Sequence, residues 1–163
     1  MKKSQKGFTI IEVALVLAIG ALIFLVVFLA VPALQRNQRN DARKRDISSV
    51  VDAVASFTGN NPGKIVENGD AYSSGSAQRS TDLGKYLDTL STNTDTVTVK
   101  SGATIVTRPT DFGDTTRPNK IWVYTGAKCQ GSAELATGSS RSVAVIGAME
   151  TASGIQAYCQ DAN

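Results

Sequence analysis

Residues 7–34, GFTIIEVALVLAIGALIFLVVFLAVPAL, form the longest apolar stretch of this 163-residue chain. Glu12 is the only charged residue in it, and the 22 residues from Val13 to Leu34 carry no charge. As an α-helix these residues would extend over about 33 Å, which is enough to cross the hydrocarbon core of a bilayer. The apolar region of a secretory signal peptide is shorter, about 7–15 residues. We therefore expect a membrane-spanning helix, and a plain single-pass anchor stays open as an alternative.

The net charge of +3 is concentrated at the N-terminus. Lys2, Lys3 and Lys6 account for it, because residues 8–163 hold 14 basic and 14 acidic side chains. Composition therefore does not support direct nucleic-acid binding. The chain has no histidine and only two cysteines, which excludes a four-ligand structural zinc site and the usual histidine-dependent nucleophiles. We expect no metal, no cofactor and no enzymatic activity.

The orientation in the membrane is not settled by charge alone. Three lysines precede the span, whereas five basic residues follow it between positions 36 and 45, which slightly favours a cytoplasmic C-terminal side. The only two cysteines, Cys129 and Cys159, lie in the C-terminal domain, and such a pair suits an oxidising exterior. We expect an extracytoplasmic C-terminal domain.

Glu12 lies near the start of the predicted span and needs an explanation. An unpaired carboxylate in hydrocarbon costs several kcal/mol. One interpretation is a carboxylate close enough to the interface to reach water. The other is a carboxylate paired with a buried cation, such as an amine created by cleavage of the chain just upstream.

Residues 1–31, beginning MKKSQKGFTIIEV, resemble the leader and N-terminal helix of type IV pilins and pseudopilins. The short basic leader, then Gly7, Phe8 and Thr9, then Glu12, follow the class III signal of that family. The resemblance implies cleavage between Gly7 and Phe8 by prepilin peptidase, a membrane-embedded aspartyl peptidase, which removes residues 1–7. It also implies N-methylation of the new Phe8 amine. In a filament, Glu12 would pair with the Phe8 amine of a neighbouring subunit.

The same resemblance implies a fold and a set of partners. The expected fold is α+β, a pilin lollipop in which the apolar half of a long helix is exposed and the amphipathic half packs on an antiparallel sheet. The expected partners are membrane lipid before assembly, the inner-membrane pilus assembly machinery, and further copies of the chain in a helical filament on the cell surface. Gly20 and Pro32 weaken the helix of residues 8–34, but they lie further apart than in many relatives, so melting of the segment between them is left open.

The remainder of the helix is predicted from its change of pattern. Residues 35–46 are polar on all sides, and their arginines have no partner that the local sequence identifies. Apolar residues then recur at helical spacing from Ile47 to Phe57, and the run Thr58 to Gly63 ends the helix. We predict one helix from about Phe8 to Thr58, of which 35–58 is the polar and then amphipathic part.

The C-terminal part reads as a loop followed by a sheet. Residues 59–95 predict a loop with a short helix around Leu83 to Leu90, capped by Ser80 or Thr81. Residues 96–163 predict an antiparallel meander in which Trp122 belongs to the core. Its strands are expected at 96–99, 103–107, 121–124, 143–147 and 155–158.

Cys129 and Cys159 would close a loop of about 30 residues if they were bridged, with a stabilisation of about 3–4 kcal/mol. Two free thiols are the alternative from the residues alone. The resemblance implies the bridge, because the family carries a comparable bridged C-terminal loop.

The expected function is that of a structural subunit of a type IV pilus. The family implies adhesion, twitching motility and DNA uptake, and no residue here selects among them. The first alternative is a pseudopilin of a type II secretion or competence machine. The second is a membrane-tethered adhesin or binding domain that never polymerises.

Overall fold

A computed structural model describes residues 7–73, 81–87, 90, 94–102, 119–131 and 134–162. The chain divides into two compact units, an N-terminal unit up to Asn37 and a C-terminal unit from Gln38 onward. One long helix followed by a mixed β-sheet makes this an α+β protein, as the sequence predicts.

The first element is α1, a helix of 51 residues from Ile10 to Asn60. It confirms the single long helix predicted from about Phe8 to Thr58. Pro32 lies inside it, and the helix is continuous through that residue. Asn61 caps the C-terminal end of α1. Its backbone N–H and its side-chain Nδ2 both donate to the carbonyl oxygen of Phe57.

Within the C-terminal unit, α1 buries one face. The predicted apolar stripe is confirmed: Ile47, Val50, Val54 and Phe57 are buried, and its fifth member, Val51, is partly buried against the same cluster. Arg43 and Asp46 are buried on the same helix. Asp46 accepts a hydrogen bond of 2.6 Å from the hydroxyl of Thr94.

The strands of the C-terminal unit are β1 Gly69–Ser73, β2 Thr96–Ser101, β3 Lys120–Thr125, β4 Ala127–Gln130, β5 Glu134–Thr137, β6 Val143–Thr151 and β7 Gly154–Asp161. They form a five-stranded sheet of order β1-β2-β3-β6-β7 and a separate hairpin, β4-β5. The strands predicted near 96–99, 121–124, 143–147 and 155–158 are confirmed as β2, β3, β6 and β7. The strand predicted at 103–107 lies outside the described residues.

The prediction of a purely antiparallel sheet is wrong at one pair. Strands β2 and β3 are parallel, in register from Thr96 opposite Lys120 to Ser101 opposite Thr125. A parallel pair needs a crossover of a dozen or more residues, and residues 102–119 between these strands are long enough to supply it. The other neighbouring pairs in the sheet are antiparallel.

The region predicted as a loop with a short helix needs a second correction. It contains strand β1, whose sequence GDAYS lacks the alternation of apolar and polar residues that identifies strands. Strand β1 is stabilised by antiparallel pairing with β2 and not by a pattern of its own. The short helix is present as a 3₁₀ helix, Asp82–Tyr86, in which Thr81 is the N-cap without a side-chain hydrogen bond.

The two faces of the sheet carry two apolar clusters. One cluster combines the buried face of α1 with side chains from β2, β3 and β6, including Val97, Val123 and Val145. The second cluster lies around Tyr124 and Ile146 and includes Leu135 of the hairpin. Trp122 is partly buried against this second cluster, and Nζ of Lys100 lies 4.2 Å from the centroid of its ring.

Candidate processing and assembly site

The Gly7–Phe8 bond, where cleavage is predicted, lies in exposed chain before the helix. Residues 7–9 are not helical, and the Phe8 side chain is 89% exposed. A Cβ atom built on Gly7 meets no atom of the described residues within 4 Å. The described part of the fold therefore has room for a side chain at position 7.

Glu12 is held in the first turn of α1 by Thr9. Oε2 of Glu12 accepts hydrogen bonds from the backbone N–H of Thr9 at 2.8 Å and from its hydroxyl at 2.9 Å. In return, the hydroxyl oxygen of Thr9 accepts from the backbone N–H of Glu12 at 3.3 Å. This reciprocal arrangement is a capping box, with Thr9 as N-cap and Glu12 as the third helical residue. It fixes the helix start one residue after Thr9 and orients the carboxylate.

Sequence reasoning considered Glu12 as a carboxylate that reaches water or pairs with an amine, and missed its bond to Thr9. The spacing Thr-x-x-Glu before an apolar run is itself the signature of a capping box. That signature would have placed the helix start at Ile10, where the structure has it.

The large apolar residues of the N-terminal unit are exposed. Large apolar side chains from Ile10 to Leu34 are open to solvent in the isolated chain. Among the described residues, α1 is the one helix that is long and apolar enough to cross a membrane, and the most apolar part of it has no buried residue. A surface of this kind needs lipid or protein to cover it. Gly20 and Pro32 both lie in this exposed segment.

The polar part of α1 has a partner that sequence reasoning did not find. Arg39 donates to both carboxylate oxygens of Glu150 on β6, with its Nη2 2.6 Å from Oε2. Nη1 of Arg43 lies 2.8 Å from Oε1 of the same carboxylate. Asn40 completes the cluster, because its side-chain amide donates to the backbone oxygen of Glu150 and accepts from the backbone N–H, both at 2.8 Å.

These contacts set the electrostatics of Glu150. The hydrogen bond from Arg39 lowers the pKa of the Glu150 carboxyl below its ordinary value of 4.5, burial acts in the opposite direction, and Arg43 lowers it further. The carboxyl therefore stays ionised at neutral pH. The partner lies more than 100 positions away in sequence, so no local pattern could have identified it.

Cys129 on β4 and Cys159 on β7 form a disulfide, with their Cα atoms 5.7 Å apart. The backbone N–H of Cys129 also donates to the carboxylate of Asp161 at 2.8 Å. The bridge therefore joins the β4-β5 hairpin to the edge of the five-stranded sheet. In the described part of the chain, no group of three or more histidine, cysteine, aspartate or glutamate side chains could hold a metal ion.

Comparison with known families finds a match in the segment described first. The family model of the prokaryotic N-terminal methylation motif matches residues 2–28, and this motif is the class III signal peptide of type IV pilins. A search of curated proteins and a search of solved structures each found no match to the chain. The motif supports a type IV pilin-like or pseudopilin precursor, and it implies processing by prepilin peptidase and assembly into pili or pseudopili.

Proposed function

We propose that this chain is the precursor of the major subunit of a type IV pilus. The processed subunit polymerises through its N-terminal helix into filaments on the cell surface. The observation that carries the proposal is a matched methylation motif at the start of a helix whose apolar residues are exposed. In a simple membrane anchor, this apolar surface would contact only lipid. A helix that also carries the methylation motif would be processed and then move from the membrane into a filament.

Processing is the first step of this function. Prepilin peptidase cuts between Gly7 and Phe8, the leader 1–7 with its three lysines stays in the cytoplasm, and the Phe8 amine is N-methylated. The exposed, non-helical backbone at residues 7–9 supports this step, because a protease binds its substrate in an extended form. The mature chain, 8–163, loses the whole excess of basic side chains.

Assembly then brings Glu12 to the Phe8 amine of a neighbouring subunit. Thr9 occupies Oε2 of Glu12, and no other described side chain donates to this carboxylate. The new amine supplies the positive charge that an ionised carboxylate needs among apolar helices. Because leaving one partner of a buried pair unmatched costs about 3–5 kcal/mol, the pair favours a single register of neighbouring helices.

During assembly, the apolar helix segment exchanges one apolar environment for another. The apolar segment 8–34 leaves lipid and packs against the same segment of other subunits, and both surroundings are apolar. The exchange needs the inner-membrane assembly machinery to move each subunit, and it can be reversed. The C-terminal unit is extracytoplasmic throughout, which agrees with its disulfide.

The proposal is tested by shearing filaments from the native host and measuring the intact and N-terminal masses of this chain in them. We expect a dominant chain that begins at N-methyl-Phe8 and is two hydrogens lighter for the Cys129–Cys159 bridge. Processed chain with few or no long filaments would indicate a pseudopilin. A chain that begins at Met1 and stays in the membrane fraction would contradict both processing and assembly.

The role of Glu12 is tested by Glu12→Gln in the same host. We expect normal cleavage after Gly7, because the site is untouched, but at least about a tenfold loss of sheared filaments, with processed monomer retained in the membrane. Glu134→Gln, which changes an exposed carboxylate on β5, is the matched control and should assemble normally. Equal filament yields for the two variants would remove Glu12 from the assembly mechanism.

A further inference from the structure

A small cavity lies inside the C-terminal unit where α1 meets the sheet. Its volume is about 10 Å³, and the polar residues in its lining are Arg43 of α1, Thr94, Asn119 and Lys120. Ile47 and Gly147 contribute apolar wall. A cavity needs about 10–15 Å³ by this measure to hold one water molecule, so nothing larger fits.

Arg43 brings an unused hydrogen-bond donor, its Nε–H, to this cavity. The side chain is only 6% exposed, and within the described part of the chain no group accepts a hydrogen bond from its Nε or its Nη1. Nη1 faces the carboxylate of Glu150, 2.8 Å from its Oε1, so Nε is the donor left for the cavity. Buried donors of this kind are expensive to leave unsatisfied.

Asn119 brings an unused acceptor to the same cavity. Its Oδ1 is buried and, among the described residues, receives no hydrogen bond. Asp95 identifies the oxygen of the amide. Its carboxylate accepts a hydrogen bond from Nδ2 of Asn119 and would repel the amide oxygen, so Oδ1 points away from Asp95. Oδ1 is therefore the atom left for the cavity.

The ligand must then both accept and donate. An anion would accept from Arg43 but would be repelled by the amide oxygen of Asn119, which has no proton to donate. A cation would bind the oxygen but would be repelled by the guanidinium. We propose that this cavity binds one water molecule, which accepts from Arg43 and donates to Oδ1 of Asn119.

This water would connect the helix to the start of the parallel strand pair. The backbone oxygen of Asn119 accepts from the N–H of Asp95 at 2.7 Å, immediately before β2, and Asn119 itself immediately precedes β3. A bridge from Arg43 to Asn119 therefore joins α1 to the ends of both strands. Its two hydrogen bonds to the protein lie within the range of two to four that a buried water makes.

The direct test is nuclear magnetic resonance on the full chain in detergent micelles, with ¹⁵N in the arginine side chains. We expect the Nε–H proton of Arg43 to show a nuclear Overhauser effect to water, with the sign of a residence time longer than nanoseconds. An effect to a protein side chain in place of water, or only to rapidly exchanging water, would overturn the proposal.

A second measurement counts the water. Oxygen-17 relaxation dispersion of the same sample should lose the contribution of one long-lived water in Arg43→Lys, which keeps the positive charge near Glu150 but removes Nε. Arg45→Lys, at an exposed position of α1, is the control and should change nothing. Asn119→Ala, which removes the acceptor, should show the same loss if Arg43→Lys fails to fold. No loss in a folded variant at either cavity position contradicts the inference.

Discussion

Three side chains of α1 contact Glu150, and the position of Glu150 on β6 explains why. The recorded pairs between β3 and β6 end at Trp122 opposite Ile146, so Glu150 lies beyond the part of β6 that pairs with β3. Its backbone N–H and carbonyl are free for the amide of Asn40, which takes the place of a neighbouring strand. Its carboxylate then meets Arg39 and Arg43 on the same helix.

Glu150→Gln should destabilise the C-terminal unit by about 3 kcal/mol, because it leaves the Arg43 guanidinium buried without its counter-charge. We take the lower end of the range for breaking a buried pair, since Arg39 is 41% exposed and glutamine still accepts hydrogen bonds. The measurement is urea unfolding in micelles followed by the fluorescence of the single tryptophan, Trp122. Glu67→Gln, at an exposed position, is the control and should be neutral within about 0.5 kcal/mol.

The pH dependence of the free energy of unfolding, compared between the native chain and Glu150→Gln, distinguishes an effect of charge from an effect of packing. The pKa of Glu150 is lowered in the folded state, so its contribution to stability is fully present above about pH 4.5, the ordinary value. That contribution disappears as the pH falls through the lower folded pKa. The difference between the native chain and Glu150→Gln should therefore shrink below pH 4.5, and a difference that stays constant to pH 3 would show that charge is not its cause.

At the scale of elements, α1 and β6 approach each other closely at Gly147. A Cβ atom at this position would lie 2.6 Å from Cδ1 and 3.1 Å from Cγ1 of Ile47, which is fully buried on α1. A methyl group here would therefore force the buried Ile47 side chain to shift, and glycine allows the helix to pack closely on the sheet. The structure gives it no positive φ angle, so its backbone conformation is not the reason.

Gly147→Ala should destabilise the C-terminal unit by about 1–3 kcal/mol, the usual cost of overpacking a core. Urea unfolding followed by Trp122 measures it. Gly59→Ala is the matched control, because a Cβ there meets nothing within 4 Å among the described residues and the position is in the last turns of α1. That control should be neutral or slightly stabilising.

A double variant identifies the cause of the Gly147 effect. Ile47→Val removes the Cδ1 atom that the new methyl group would meet first. In the background of Ile47→Val, Gly147→Ala should cost at least about 0.5 kcal/mol less than it does alone. Additive effects would mean that the clash with Ile47 is not the source of the destabilisation.

At the scale of the whole molecule, the disulfide connects the two separate sheets of the C-terminal unit. It joins the β4-β5 hairpin to β7, the edge strand of the sheet, across 30 positions of sequence. The hairpin covers the second apolar cluster through Leu135. The bridge therefore keeps one wall of that cluster in place.

Replacing both cysteines by serine should lower the free energy of unfolding by about 3–4 kcal/mol, since the unfolded chain regains the entropy of a loop of this length. Guanidinium unfolding followed by Trp122, which borders the same cluster, measures the loss. Reducing agent should destabilise the native chain by a similar amount and leave the double variant unchanged. A native chain that is insensitive to complete reduction would contradict this account.

The sequence by itself determined the features that depend on local pattern. An uncharged run of 22 residues after Glu12 predicted the exposed half of α1, and helical spacing from Ile47 to Phe57 predicted its buried half. The motif at Gly7, Phe8 and Glu12 predicted the family of the signal peptide, which the comparison confirms. These predictions succeed because hydrophobic periodicity and short motifs depend on residues that are neighbours in sequence.

Tertiary structure alone decided the contacts between distant residues. The parallel pairing of β2 with β3, the strand β1 with its uninformative sequence, and the convergence of Arg39 and Arg43 on Glu150 have no local signature. Strand direction depends on how a long connection crosses the sheet, and a buried ion pair depends on which side chains packing brings together. Both follow from the mutual burial of elements, which a single sequence does not specify position by position.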